Sequence, residues 1–114
     1  MTQIAYSDFS KIDMRIGMIM ECREFAEALK PAYKLKVDFG SEIGLKDSSA
    51  QVTVRYSKEE LVGKKIVAVV NFPPKRIANF VSEVLVLGVE DKNGAIILLE
   101  PENTGDATLG SRVY

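Results

Sequence analysis

The sequence predicts an all-β protein, a five-stranded Greek-key barrel of the OB type with short helices and an N-terminal extension. Three observations carry that prediction. Apolar and polar residues alternate with period 2 over 14–22, 33–39 and 49–56, as half-buried strands require. A helix-start signal falls just before the fourth strand-like run, and the first strand is long. At 114 residues the chain forms one domain, residues 1–114, long enough for a real core and too short for two.

Ser7 is placed to cap a short helical turn over Asp8–Lys11, with Asp8 favourable near the helix N-terminus. The first strand, Met14–Cys22, sets Met14, Ile16, Met18, Met20 and Cys22 on its inward face. Cys22 reads as a small core residue, and as the lone cysteine it excludes an internal disulfide or a cysteine metal cluster. Phe25–Pro31 breaks the alternation. Tyr33, Leu35, Val37 and Phe39 then face inward, with Lys34, Lys36 and Asp38 outward. Gly40 and Gly44 mark a turn through GSEIGLKDS, and Ser49–Tyr56 resumes with Ala50, Val52, Val54 and Tyr56 on one face. Ser57 and Glu60 form a capping box opening a short helix that Gly63 ends. Lys65–Val70, nearly all apolar, reads as a fourth strand buried on both faces. Ser82–Glu90 is the fifth strand, Asp91–Gly94 an Asn-Gly hairpin turn, and Ala95–Glu100 the sixth.

Between the last two long runs lies Asn71-Phe72-Pro73-Pro74-Lys75-Arg76-Ile77-Ala78-Asn79-Phe80. Consecutive prolines lock φ and remove ladder donors, so this segment reads as a stiff loop. A stiff loop suits binding because little entropy remains to be lost on engagement. Phe72 and Phe80 either meet a ligand or anchor the loop to the core. In barrels of this type the outer face of strands two and three binds ligands, between the first-to-second and fourth-to-fifth loops. Here that face displays Lys34, Lys36, Gln51, Thr53 and Arg55 beside the stiff loop. The net charge of −1 conceals a segregation: residues 30–76 hold ten Lys/Arg against five Asp/Glu.

The chain has no histidine, so it holds no histidine base, nucleophile partner or metal ligand. No acid–base pair or metal cluster replaces it. A non-catalytic protein without cofactor or metal is expected. The opening MTQIAYSDFS has no basic or long apolar region, so no secretory signal is expected. No apolar run reaches the ~20 residues of a membrane span, which places the protein in the cytoplasm without membrane insertion.

Several runs carry a resemblance across nearly the whole chain: Asp13–Gly17 (DMRIG), Lys30–Gly40 (KPAYKLKVDFG), Ser48–Thr53 (SSAQVT), Val69–Ala78 (VVNFPPKRIA) and Ser82–Gly88 (SEVLVLG). The chain resembles the CsaA family, which is similar to the tRNA-binding domain appended to some methionyl- and phenylalanyl-tRNA synthetases. The resemblance implies an OB fold, a homodimer, and a chaperone role toward unfolded or export-bound polypeptides, with the secretion machinery a further partner. It also implies tRNA binding as the alternative. Two departures weigh against a tight tRNA site. After Ser82-Glu83, Val84-Leu85 replaces the Gly-Met of those domains, where a β-branched valine obstructs close backbone approach. Ala78-Asn79 likewise stands where a glycine often follows the basic pair.

The expected peptide- or RNA-binding face therefore comprises Lys34, Lys36, Arg55, Asn71, Phe72, Lys75, Arg76, Phe80, Ser82 and Glu83. Ile4, Tyr6, Phe9, Val113 and Tyr114 add apolar groups at the two ends of the chain. They either form the dimer contact or cover the barrel of their own chain.

Overall fold

The structure is a computed structural model that describes all 114 residues. Helix α1 (Tyr6–Ser10) precedes β1 (Met14–Glu24), β2 (Tyr33–Asp38) and β3 (Leu45–Ala50). Helix α2 (Lys58–Leu61) leads into β4 (Lys65–Val69). Five short strands follow: β5 (Lys75–Ile77), β6 (Phe80–Ser82), β7 (Leu85–Val86), β8 (Gly88–Glu90) and β9 (Ile96–Leu98). An antiparallel sheet in the order β3-β2-β1-β4-β7 wraps into a nearly closed barrel, and β5-β6 and β8-β9 form two separate hairpins. The OB-type barrel expected from the sequence is the fold observed. No helix is long and apolar enough to cross a membrane.

β2 behaves as its alternation requires: Tyr33, Leu35, Val37 and Phe39 are buried, while Lys34, Lys36 and Asp38 are half-buried on the other face. With Ile19, Leu61 and Ile66 they form the centre of the core. Each large aliphatic side chain buried there contributes about 1.5–3 kcal/mol relative to exposure. Ser57 caps α2 through its hydroxyl, and Glu60 returns a bond to the Ser57 amide, so the capping box stands as predicted.

Elsewhere the pattern misled. Between Ile19 and Glu21 the pairing of β1 with β2 slips, leaving Met20 as an extra, exposed residue. A bulge reverses the parity of a strand. Gly17 and Ile19 therefore face the core before it, and Cys22, opposite Leu35, faces it after. Met14 and Met18 are only half-buried, and Ile16 is buried outside the central cluster. Gly17 is required by packing: a Cβ there would sit 2.6 Å from the Val37 side chain and the Phe39 ring.

The third strand begins at Leu45, within the expected turn, and ends at Ala50. Residues 51–56 are not strand, and Val54, expected inward, is 82% exposed. Tyr56 still packs on the core, its hydroxyl accepting the Leu98 amide at 3.1 Å. Val67 is half-buried, so β4 is fully covered on one face rather than two. The expected fifth strand breaks into β6, β7 and β8, each paired with a different partner. Helix α1 starts two residues earlier than expected, with Ala5 rather than Ser7 at its N-cap and Asp8 accepting the Ala5 amide.

The chain's end returns to its beginning. Ile16 donates to the Ser111 carbonyl, Gly110 to the Ile16 carbonyl, and Val113 to the Met14 carbonyl. The Lys65 ammonium holds the approach to this clasp, donating to the Thr104 and Ala107 carbonyls at 2.7 and 2.6 Å. Val113 is thus half-buried against its own chain, while Ile4, Tyr6 and Tyr114 stay exposed, Tyr114 at 94%.

Candidate functional site

The barrel has a seam. β3 and β7 are the two edges of the main sheet and no backbone ladder joins them. Residues 82–84 close the gap instead. The Glu83 amide donates to the Asp47 carbonyl at 2.8 Å, and a Glu83 carboxylate oxygen accepts the Asp47 amide at 3.0 Å. The Ser82 hydroxyl accepts the Ser49 amide at 3.1 Å, and the buried Ser48 hydroxyl donates to the Val84 carbonyl at 3.0 Å. Ser82 and Glu83 thus satisfy edge groups that would otherwise be left unpaired.

Beside this clasp opens a cleft of about 530 Å³. Ser49 and Gln51 form one wall, Phe72, Pro73, Lys75 and Ile77 another, and Ser82–Leu85 the floor. Asn71 fixes where the second wall starts: its side chain accepts the Asp13 amide at 3.0 Å and donates to the Lys11 carbonyl at 2.8 Å. Pro73 and Pro74 carry the chain out to β5, which pairs with β6. The segment expected to be a loop is thus a rigid approach followed by a hairpin, because the prolines stop before the first ladder position. Ala78 occupies its turn at φ +54°, in the left-handed region that glycine adopts at no steric cost.

The predicted residues divide into two groups. Phe72, Lys75, Ser82 and Glu83 meet at the cleft, with Arg76 exposed next to it and Asn71 as its anchor. Phe72 is 52% exposed. Neither Lys75 nor Arg76 has a carboxylate within ion-pair distance. Lys34, Lys36, Arg55 and Phe80 are already engaged. Lys34 pairs with Glu27 at 3.7 Å and its ammonium lies 4.9 Å from the Phe25 ring centre and 5.6 Å from that of Phe80. Phe80 packs edge-on against buried Phe25 at 5.4 Å, so it is an anchor. Lys36 pairs with Asp47 at 3.0 Å. Arg55 turns to Asp91 at 2.9 Å, on the β8–β9 hairpin. The Asn93 amide first, then Arg55 and the Ala95 amide, hold the Asp91 carboxyl below its ordinary range.

Sequence reasoning does not single out Ile77 and Leu85, the apolar sides of this cleft. The alternation Lys75–Ile77 would have found the first, had the segment been read as a strand. Burial pushes the Cys22 thiol up to about 11, which makes it a poor nucleophile. No cluster of three His, Cys, Asp or Glu side chains could hold a metal ion.

Residues 14–112 match the family model described as "Putative tRNA binding domain". The CsaA chaperone of Picrophilus torridus has a solved structure with 56% sequence identity and a TM-score of 0.91, covering 98% of this chain and 100% of that one. The CsaA chaperone of Bacillus anthracis gives 48% identity and the same TM-score, covering 99% and 100%. The chain belongs to the CsaA family, within the tRNA-binding-domain fold. It is also 32% identical over 110 residues to the methionine–tRNA ligase of Porphyromonas gingivalis, covering 96% of this chain but 15% of the ligase. The Methanocaldococcus jannaschii ligase gives 34% identity over 113 residues, covering 99% and 17%. The chain thus spans about a sixth of these ligases' length.

In this CsaA-family chain, Val84 does not obstruct the cleft as expected. It is buried, belongs to the core cluster, and shows the cleft only its floor. Nor does it sit in a regular strand, since it bridges β6 and β7. The valine fills the barrel where a glycine would leave a gap.

Proposed function

We propose that this protein is a passive, non-catalytic chaperone of the cytoplasm that holds non-native or export-bound polypeptides in the cleft beside the seam. One observation carries the reading: a half-exposed aromatic, Phe72, shares the cleft with apolar Ile77, Val84 and Leu85 and with Lys75, a cation without an ion-pair partner, while Arg76, equally unpaired, stands exposed beside it. Apolar segments of a client would meet Phe72, Ile77 and Leu85, and its acidic residues would meet the rim. The protein acts as a homodimer through the exposed Ile4, Tyr6 and Tyr114 around half-buried Phe9. Light scattering on Tyr6→Ser plus Tyr114→Ser is expected to return the monomer mass. A dimer that survives places the contact elsewhere.

The family match and the free Lys75-Arg76 pair favour a second reading, tRNA bound at the same rim. With Lys34, Lys36 and Arg55 already paired, few phosphates would be neutralised, so the salt slope would be shallow for a tRNA binder. A peptide and bulk tRNA titrated against each other at two salt concentrations separate the readings. Peptide binding that Phe72→Ala weakens, untouched by tRNA, supports the chaperone. Salt-sensitive tRNA binding abolished by Lys75→Ala plus Arg76→Ala, with no peptide bound, replaces it.

A further inference from the structure

We propose that the open end of the seam takes up an extended polypeptide segment by strand addition, with the backbone of Gln51 as the pairing edge. This rests on the polypeptide reading of the cleft and specifies how the segment is held. Along β3, alternate residues turn their amides to the seam, and Asp47 and Ser49 find partners there in Glu83 and Ser82. Gln51 continues that alternation two residues on. It is exposed, and neither its N–H, its C=O nor its side chain makes a hydrogen bond within the protein.

The facing wall is equally open. Leu87 donates to Val67, and Leu85 sits opposite Val69, so the intervening Val86 turns its backbone groups away from β4 toward the seam. β7 has no ladder partner on that side. An unpaired strand edge is a template for another chain, and peptide-binding domains exploit it by adding a strand while pockets receive alternate side chains. Such pockets are present. The cleft runs on through Gln51 and Leu85 into a second trough of about 420 Å³, lined by Val52, Leu87, Ile96 and Leu98. It lies where the β8–β9 hairpin departs from the main sheet. The occupant is therefore an extended segment with apolar residues at every second position and an acidic residue at the end nearest Lys75.

The test uses a short fluorescein-labelled peptide alternating valine and serine with aspartate at one end, measured by anisotropy against the full chain. N-methylation of its alternate amides is compared in the two possible registers. Methylation in either register is expected to weaken binding about tenfold, the scale of a lost interfacial hydrogen bond, because one set of amides faces Gln51 and the other Val86. Gln51→Ala keeps the backbone donor and is expected to bind normally. Gln51→Pro removes it and is expected to bind about tenfold more weakly, with an unchanged circular dichroism spectrum because that N–H bonds nothing in the free protein. If Gln51→Pro perturbs the fold, the methylated peptides decide alone. Equal binding of the unmethylated peptide and both methylated registers overturns strand addition and leaves the polypeptide reading standing. No binding of the unmethylated peptide, with tRNA bound instead, overturns both.

Discussion

The two flanks of this barrel are built by different means. On the β1–β2–β3 flank, continuous backbone ladders join strands whose inward residues, Leu35, Val37 and Phe39, are fully buried. On the seam flank the strands are short, and three residues, Ser48, Ser82 and Glu83, do the joining, mostly through side chains. β1 and β2 carry a ladder on each side and offer no edge. The two open edges are β3 and β7, and the cleft lies between them. A barrel that closed uniformly would be more regular and would have nowhere to put a ligand.

Breaking the ladder flank should have the largest effect. Phe39→Ala is expected to cost about 3–5 kcal/mol, read from urea denaturation, because it empties the centre of the core. Ser82→Ala should cost only about 1 kcal/mol. Its distinctive sign is local: hydrogen exchange at the Ser49 amide should quicken while exchange in β2 is unchanged, since seam opening need not unfold the ladder. If β2 exchange quickens equally, the two flanks are one cooperative unit and the comparison fails.

Ala78→Gly should sharpen the contrast in the other direction. Relieving a left-handed alanine is expected to stabilise the β5–β6 hairpin by up to about 1 kcal/mol, measured as a raised denaturation midpoint. The smallest effect concerns Asp91. Its carboxyl titrates lower in the folded protein than in the unfolded chain, so its contribution is present at neutral pH and lost as pH falls through that depressed value. Asp91→Asn keeps the turn acceptor but not the charge. The stability difference between wild type and variant should therefore shrink below about pH 4.

The ladder flank was also the legible one. The alternation of Tyr33–Phe39 gave its buried face, and Ser57 and Glu60 announced the α2 cap. The bulge at Met20 was invisible because apolar methionines lie on both sides of the parity change, so a period-2 pattern fits either register. At the site, Phe72 and Lys75-Arg76 stood out by type. What hid the rest was partnership: Lys34, Lys36 and Arg55 look equally basic in sequence, and only Glu27, Asp47 and Asp91 folded against them remove them from the rim. The clasp role of Ser82 and Glu83 was equally hidden, since it depends on edge amides some thirty residues away.

The clasp between Ile16 and residues 110–111 bears on how the protein is made. One of its partners leaves the ribosome more than ninety residues before the other. Domains fold during synthesis as their contacts become available, and pairings distant in sequence close slowly. The β1–β2–β3 meander can assemble as soon as residue 50 is out, but the first half of β1 must wait with one edge bare until residues 110–113 emerge. For that interval the nascent chain carries its own unfilled strand edge, and a chain cut short before residue 110 would keep it.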